Sequence, residues 1–151
     1  MRALSTVACA TLVAALASGC SLLQQAQQAM TPSIAVGECT DLPDVSTEET
    51  EVSDIPTVDC AGPHAWEAYA EKVFGVDEEF PGAAEVDEAA TTFCMGEFEG
   101  FIGLPYEASR YEAFYLYPTE ETWTLLNDRT VTCLVGLSDG GVTGSLADAA
   151  E

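Results

Sequence analysis

Basic residues are nearly missing from this chain: 4 Lys and Arg stand against 26 Asp and Glu in 151 residues, a formal charge of −22. A nucleic-acid partner is thereby excluded, because gripping a phosphate backbone needs a basic stripe that neutralises phosphates and releases counterions. Electrostatic docking on anionic lipid fails for the same reason. Histidine occurs once, at His64, so a zinc site cannot gather imidazoles, and no C-x-x-C pair offers the thiolate alternative. Acidic clusters at Glu48-Glu49 and Asp77-Glu78-Glu79 lack the D-x-[DN]-x-[DN]-G spacing of a dedicated calcium loop. Neither metal nor cofactor is expected. The acidity is not that of a solvated tail either, since 48% of residues are hydrophobic and 9% aromatic. One small folded domain fits the length.

Acid is absent from one stretch. Met1 to Gly19 carries none; it has Arg2 as its only charge, an apolar run from Leu4 to about Ala17, and then Leu16-Ala17-Ser18-Gly19-Cys20. Too short and too alanine-rich for a bilayer span, it reads as a signal peptide over residues 1–19, and the small residues before Cys20 resemble a bacterial lipobox. Cleavage there would leave Cys20 as an N-terminus carrying diacylglycerol and palmitate-type chains, anchored to the outer face of the cell membrane. Each buried methylene contributes ~0.8 kcal/mol, and two or more chains give stable anchoring. Removal of the signal takes Arg2 with it, so 3 basic residues face all 26 acids, a formal charge of −23. Residues 20–35, with Gln24, Gln25, Gln27 and Gln28 among Ala and Ser, read as a polar tether.

Of six cysteines, Cys9 falls in the signal and Cys20 in the lipobox, which leaves Cys39, Cys60, Cys94 and Cys133. An even set of four in an exported domain reads as two disulfides, with three connectivities open to the spacing. The preferred pairing is Cys39 with Cys60, bracketing an acidic loop, and Cys94 with Cys133, stapling a helix to a strand. On loop closure each contributes roughly 3 to 4 kcal/mol.

Short apolar runs at residues 33–39 and 55–60 read as strands on either side of the acidic stretch Asp41 to Asp54. Ala61-Gly62-Pro63-His64 is a turn signal, and Ala65 to Phe74 alternates as a strand does. After Pro81-Gly82, Ala83 to about Phe101 reads as the main helix, its stripe formed by Val86, Ala90, Phe93, Glu97 and Phe101 with Cys94 and Phe98 adjoining. Arg110 to Tyr117 is a strand with both faces partly covered, Thr119 is an N-cap for a short helix to Leu125, and Asn127-Asp128 is a turn. Arg129 to Leu137 is expected as the last strand, followed by a loop that frays over residues 148–151. The fold class is α+β: a small, mainly antiparallel sheet with one long helix packed on a face and two disulfides.

Cys60-Ala61-Gly62-Pro63-His64-Ala65-Trp66-Glu67 resembles the C-x-x-P-H-x-x-E motif of the septum formation family of actinobacterial envelope proteins. Val36-Gly37-Glu38-Cys39 is similar to the family's opening V-G-D-C. Phe80-Pro81-Gly82, Cys94 and the segment Trp123, Asp128-Arg129, Val131, Cys133 follow in order, and Gly144-Ser145-Leu146 closes the match. Asn127 stands where the family has Gly, which Asn replaces where the backbone is left-handed. The resemblance implies an extracytoplasmic domain over residues 36–147, common on lipoproteins, without a defined biochemical activity.

Catalysis finds little support in these residues. His64 and Glu67, directly after Pro63 in a strand, point to opposite faces. A Cys–His pair needs a free thiol, which the disulfides remove. Ser145 is not in a G-x-S-x-G elbow. The expected role of His64 is a turn residue whose ring bonds nearby backbone. Arg129, scarce as cations are, is expected to pair with Glu67 or Asp128 across adjacent strands, exploiting the bidentate guanidinium. The reading that follows is a non-catalytic lipoprotein presenting an acidic interaction domain to an envelope protein or cell-wall partner. The alternative is a small-ligand or peptidoglycan-fragment binder built on Tyr111, Tyr115, Tyr117 and Trp123. A hydrolase using His64 and Glu67 as an acid–base pair ranks third.

Overall fold

The computed structural model describes residues 33–42 and 55–151. The expected signal peptide, Cys20, most of the tether and most of the acidic stretch lie outside the described residues. Among the described residues no helix is long and apolar enough to cross a membrane.

Among the described residues seven strands form two antiparallel sheets. β1 (Cys39–Thr40), β2 (Thr57–Val58), β4 (Trp66–Val73), β5 (Glu112–Leu116) and β6 (Thr130–Gly136) make the main sheet in the order β2-β1-β4-β6-β5. β3 (Pro63–His64) and β7 (Val142–Thr143) pair as a separate two-residue ribbon. The helix α1 (Ala83–Ile102) crosses one face of the main sheet, a 3-10 turn follows at Tyr106–Ala108, and α2 (Glu120–Leu125) lies between β5 and β6. The α+β class and both preferred disulfides are present: Cys39–Cys60 and Cys94–Cys133.

Local chemistry accounts for each element. β4 alternates only at its start, with Trp66 and Ala68 in one core cluster and Tyr69 in the other. A bulge between Ala68 and Ala70 then puts Tyr69 and Ala70 in the same cluster. Its first five residues are all buried, because the sheet is covered on both faces. Helix α1 starts after Gly82 (φ 115) and stops at Gly103, whose left-handed backbone (φ 86) lets its N–H reach the Glu99 carbonyl. Thr119 caps α2: its Oγ1 accepts from Thr122 N–H at 3.1 Å, while Thr122 Oγ1 accepts from Thr119 N–H at 2.9 Å. Asn127 takes φ 56, the left-handed conformation anticipated where the family has Gly.

The sheet is covered on both faces. On one, Ala90, Cys94, Phe98 and Ile102 of α1 pack with Tyr69, Ala70, Val131, Cys133 and Val135. On the other, Ile34, Leu42 and Ile55 pack with Trp66, Ala68 and Leu134, and Phe114 and Leu116 lie against them half-buried.

Five expectations need correction. The buried stripe of α1 is Val86, Ala90, Cys94, Phe98 and Ile102, a strict four-residue step; Glu97 is exposed and Phe93 and Phe101 are flanking. The Cys94–Cys133 bond sets that rotation, since it points Cys94 at β6. The strand expected at residues 33–39 shrinks to Cys39–Thr40, because Gly37 (φ 90) turns the chain and donates to the Ala68 carbonyl at 2.7 Å. Ile34, read as the end of a tether, is core. β6 is not the last strand, as β7 follows it. Residues 148–151, expected to fray, are tied down: Asp148 and Ala150 N–H donate to the Phe101 and Ile102 carbonyls at 2.8 and 2.9 Å, and the Glu151 carbonyl accepts from Arg110 N–H and the Ser109 hydroxyl. The first two bonds use carbonyls that the end of α1 leaves open.

Candidate functional site

The segment Cys60 to Glu67 is folded around polar contacts that begin with a turn. Asp59 supplies its carbonyl to Gly62 N–H at 2.9 Å and its carboxylate to Ala61 N–H at 2.9 Å. The Pro63–His64 strand then runs antiparallel to Val142–Thr143, with His64 opposite Val142. His64 is 1% exposed, and its Nδ1 lies 3.0 Å from the Gly62 carbonyl oxygen. A carbonyl only accepts, so Nδ1 carries the proton. Nε2 has no partner among the described residues.

Ala65 is held from both sides. Its N–H donates to the Asp41 carboxylate at 2.9 Å and its carbonyl accepts from Leu137 N–H at 3.0 Å. The same carbonyl lies where any side chain at Gly136 would have its Cβ, which is why β6 ends in glycine.

Glu67 is 2% exposed, and both its carboxylate oxygens are engaged. Oε1 accepts from the Ser145 hydroxyl at 2.8 Å and Oε2 from Leu146 N–H at 2.6 Å. One residue earlier, Gly144 N–H donates to the Cys60 carbonyl at 2.7 Å, and Gly144 needs its φ of 82 to make the turn. Burying a carboxylate is costly unless it is bonded, and these two donors offset that cost. The C-x-x-P-H-x-x-E segment and the Gly-Ser-Leu segment, some 80 residues apart in sequence, therefore form one clasp: Cys60 holds Gly144, Pro63 and His64 hold residues 142–143, and Glu67 holds residues 145–146. Ser145 and Leu146 were not legible as partners of Glu67, although Gly144-Ser145-Leu146 stood out as a motif.

The expected pairing of Arg129 with Glu67 or with the Asp128 carboxylate is not formed. β4 and β6 are antiparallel, with Glu67 opposite Val135 and Val73 opposite Thr130. Glu67 and Arg129 thus sit at opposite ends of the ladder, roughly 20 Å apart at ~3.3 Å per residue. Arg129 Nη1 instead donates to the Trp123 and Asp128 carbonyls at 2.9 and 2.8 Å, and its guanidinium stacks 3.8 Å from the centre of the Trp123 ring. Burial lowers the Arg129 pKa, opposed by the charges of Asp128 and Glu78. Asp128 turns its carboxylate to Thr130 N–H at 3.0 Å, and burial raises its pKa in spite of that bond.

Nor do the four aromatic residues form one patch. Trp123 is buried between Phe74 and Phe80, with Nε1 donating to the Glu78 carbonyl at 3.2 Å. Tyr111 is buried, its hydroxyl 3.4 Å from the Glu151 carboxylate, and burial raises its pKa, as that carboxylate also does. Tyr115 and Tyr117 alone among the four are in ring contact, with centroids 5.9 Å apart. The Tyr115 hydroxyl bonds the Thr91 hydroxyl at 2.6 Å and lies 3.4 Å from the Asp87 carboxylate. Burial, then the Asp87 charge, raises the Tyr117 pKa. Among the described residues no three His, Cys, Asp or Glu side chains converge to hold a metal ion.

No curated protein and no solved structure matches this chain. A family model described as septum formation matches residues 36–150, from the turn at Gly37 through the clasp to the anchored final residues. With most of its length inside that match, the chain belongs to the septum formation family.

Proposed function

We propose that this protein is a lipoprotein, anchored through acylated Cys20 on the outer face of the cell membrane, whose acidic, disulfide-stapled domain binds a partner protein during septum or wall formation without catalysing a reaction. The family supplies the coarse link to cell division. The observation that carries the non-catalytic reading is the engagement of the motif itself. His64 and Glu67, the best acid–base candidates in the sequence, are buried, and both Glu67 oxygens are used to hold Ser145 and Leu146. Cys60 is bonded to Cys39, so no thiolate stands beside His64. The ligand-binding alternative has less support, since Trp123 is buried against Phe74 and Phe80 while Tyr111 is buried elsewhere, with its hydroxyl beside Glu151.

Metabolic labelling with an alkyne fatty acid tests the anchor. Labelled protein is expected in the membrane fraction, and Cys20→Ala is expected to lose both label and membrane association. An unlabelled parent chain would overturn the lipoprotein assignment. Enrichment of a fluorescent fusion at division sites tests the septum link, and uniform distribution through the cell cycle would count against it.

A further inference from the structure

We propose that the outer edge of β5, extending to Tyr117, takes up an extended segment of a partner protein rich in lysine or arginine, which pairs with it as a sixth strand of the main sheet. This names the partner class left open by the interaction-domain reading and rests on that reading.

β5 is the last strand in the sheet order. It pairs with β6 alone, and among the described residues its backbone groups make no hydrogen bond outside that ladder. Monomeric proteins usually blunt such an edge with lysine, proline, a bulge or very short length. The opposite edge follows that rule, since β2 has two residues and comes directly after Pro56. β5 does not. It has five residues, Glu-Ala-Phe-Tyr-Leu, paired with β6 without a register shift, and Pro118 comes only after the strand has ended.

The side chains along this edge are arranged to receive alternate residues of an added strand. Ala113 and Tyr115 pack against the core on the helix face, while Phe114 and Leu116 pack against the core on the other; all four are half-buried. A sixth strand would cover them on both faces while its backbone completes the ladder.

Charge selects the occupant. Glu112 is exposed at one end of the edge and Asp87 at the other, beside Tyr115 and beside Tyr117, which is 39% exposed. Lysine or arginine side chains find carboxylates and tyrosine faces there. Arg110, the nearby cation, is already bridged to Glu151 at 3.4 Å. A second copy of this chain would bring a formal charge of −22 against its like.

The test titrates the full chain, in mild detergent, with three fluorescent peptides of about ten residues, enough to span the edge. The first alternates lysine and valine, the second is the same peptide N-methylated at alternate residues, and the third replaces lysine with glutamate. The first is expected to bind and to slow amide exchange at residues 112–117. N-methylation removes ladder donors and is expected to weaken binding about tenfold or more, and the acidic peptide is expected not to bind. Tyr117→Lys, which blunts the edge and adds like charge, is expected to weaken the first peptide as well. Equal affinity for the first two peptides, protection away from β5, or unchanged affinity in Tyr117→Lys overturns the proposal. Protection of 112–117 that grows with protein concentration in the absence of peptide assigns the edge to a second copy instead, and also overturns it. The titration does not depend on acylation, so its failure leaves the Cys20 labelling result standing, and loss of labelling leaves the titration interpretable.

Discussion

One face of the main sheet is closed by a single 20-residue helix, whereas the other is closed by two short segments that meet only in the folded chain: residues 33–42 and the stretch from Ile55. The two disulfides are placed differently: one lies inside the helix-side core, and the other, in neither core cluster, ties the two short segments together. Cys94–Cys133 joins the middle of α1 to the middle of β6, with both residues fully buried. Cys39–Cys60 sits at the rim, with Cys39 buried and Cys60 half-exposed. The difference shows where stability resides. The helix satisfies its own backbone and needs only an apolar face, so the bond at its centre adds to a surface already packed. The opposite cover has two-residue strands and long-range contacts, so its disulfide holds chain segments that have little local structure.

The largest expected effect separates the two bonds. Loop closure alone gives about 4 kcal/mol for a 39-residue span and slightly over 3 for a 21-residue span. Replacing Cys94 and Cys133 by Ala also disturbs a filled core, so chemical denaturation should show the Cys94/Cys133 pair costing more than the Cys39/Cys60 pair by a margin that loop length does not explain. The reverse order would remove the contrast between the faces. Next come the two cores. Phe98→Ala deletes a ring in edge-on contact with Tyr69 and Tyr106 and should cost about 3–5 kcal/mol, whereas Ile34→Ala on the opposite face should cost about 2–4. Equal losses would mean that the short segments pack as tightly as the helix does.

The clasp, whose Val142 and Leu146 join the helix-side core, ranks third. Glu67→Gln keeps an acceptor for Ser145 but weakens the bond to Leu146, so a loss of about 1.5–3 kcal/mol is expected, with faster amide exchange at residues 144–146. Exchange that stays as slow as in the parent would show that the clasp does not hold that segment. The smallest effect concerns Asp128. Burial raises its folded pKa above the unfolded value, so the contribution from protonation is fully present below the unfolded pKa and is lost as pH rises through the folded one. Asp128→Asn keeps the acceptor for Thr130 N–H and should match the parent in acid but melt higher near neutral pH. A parent that is the more stable of the two at neutral pH would reverse the sign of that burial.

Local signals carried much of the fold into view. Pro81-Gly82 marked the start of α1 within one residue, Thr119 identified the cap of α2, and Asn127 announced its left-handed turn. These depend on a residue's own conformational preferences and its near neighbours. The phase of the α1 stripe was misplaced by one position, because Phe93 and Phe101 offered an apolar face as good as the one Cys94 finally selects. The partner of Arg129 was misjudged for a different reason: charge scarcity indicated that a partner was needed, but strand register decides which groups are in reach. At the candidate site, Cys60, His64 and Glu67 were legible as a motif, while Ser145 and Leu146 became its counterpart only through the β3–β7 pairing.

Composition, spacing and turn chemistry by themselves determined that this chain forms an acidic α+β domain with two disulfides. Those properties are additive along the chain or set within a few residues. Tertiary structure alone decided which face of α1 is buried, that Glu67 holds the Ser145–Leu146 turn rather than Arg129, that residues 148–151 are bound, and that among the described residues β5 ends the sheet with its edge open. The first depends on the Cys94–Cys133 bond, and the others on which distant groups come within hydrogen-bonding distance, which sheet register settles only when the whole chain has folded.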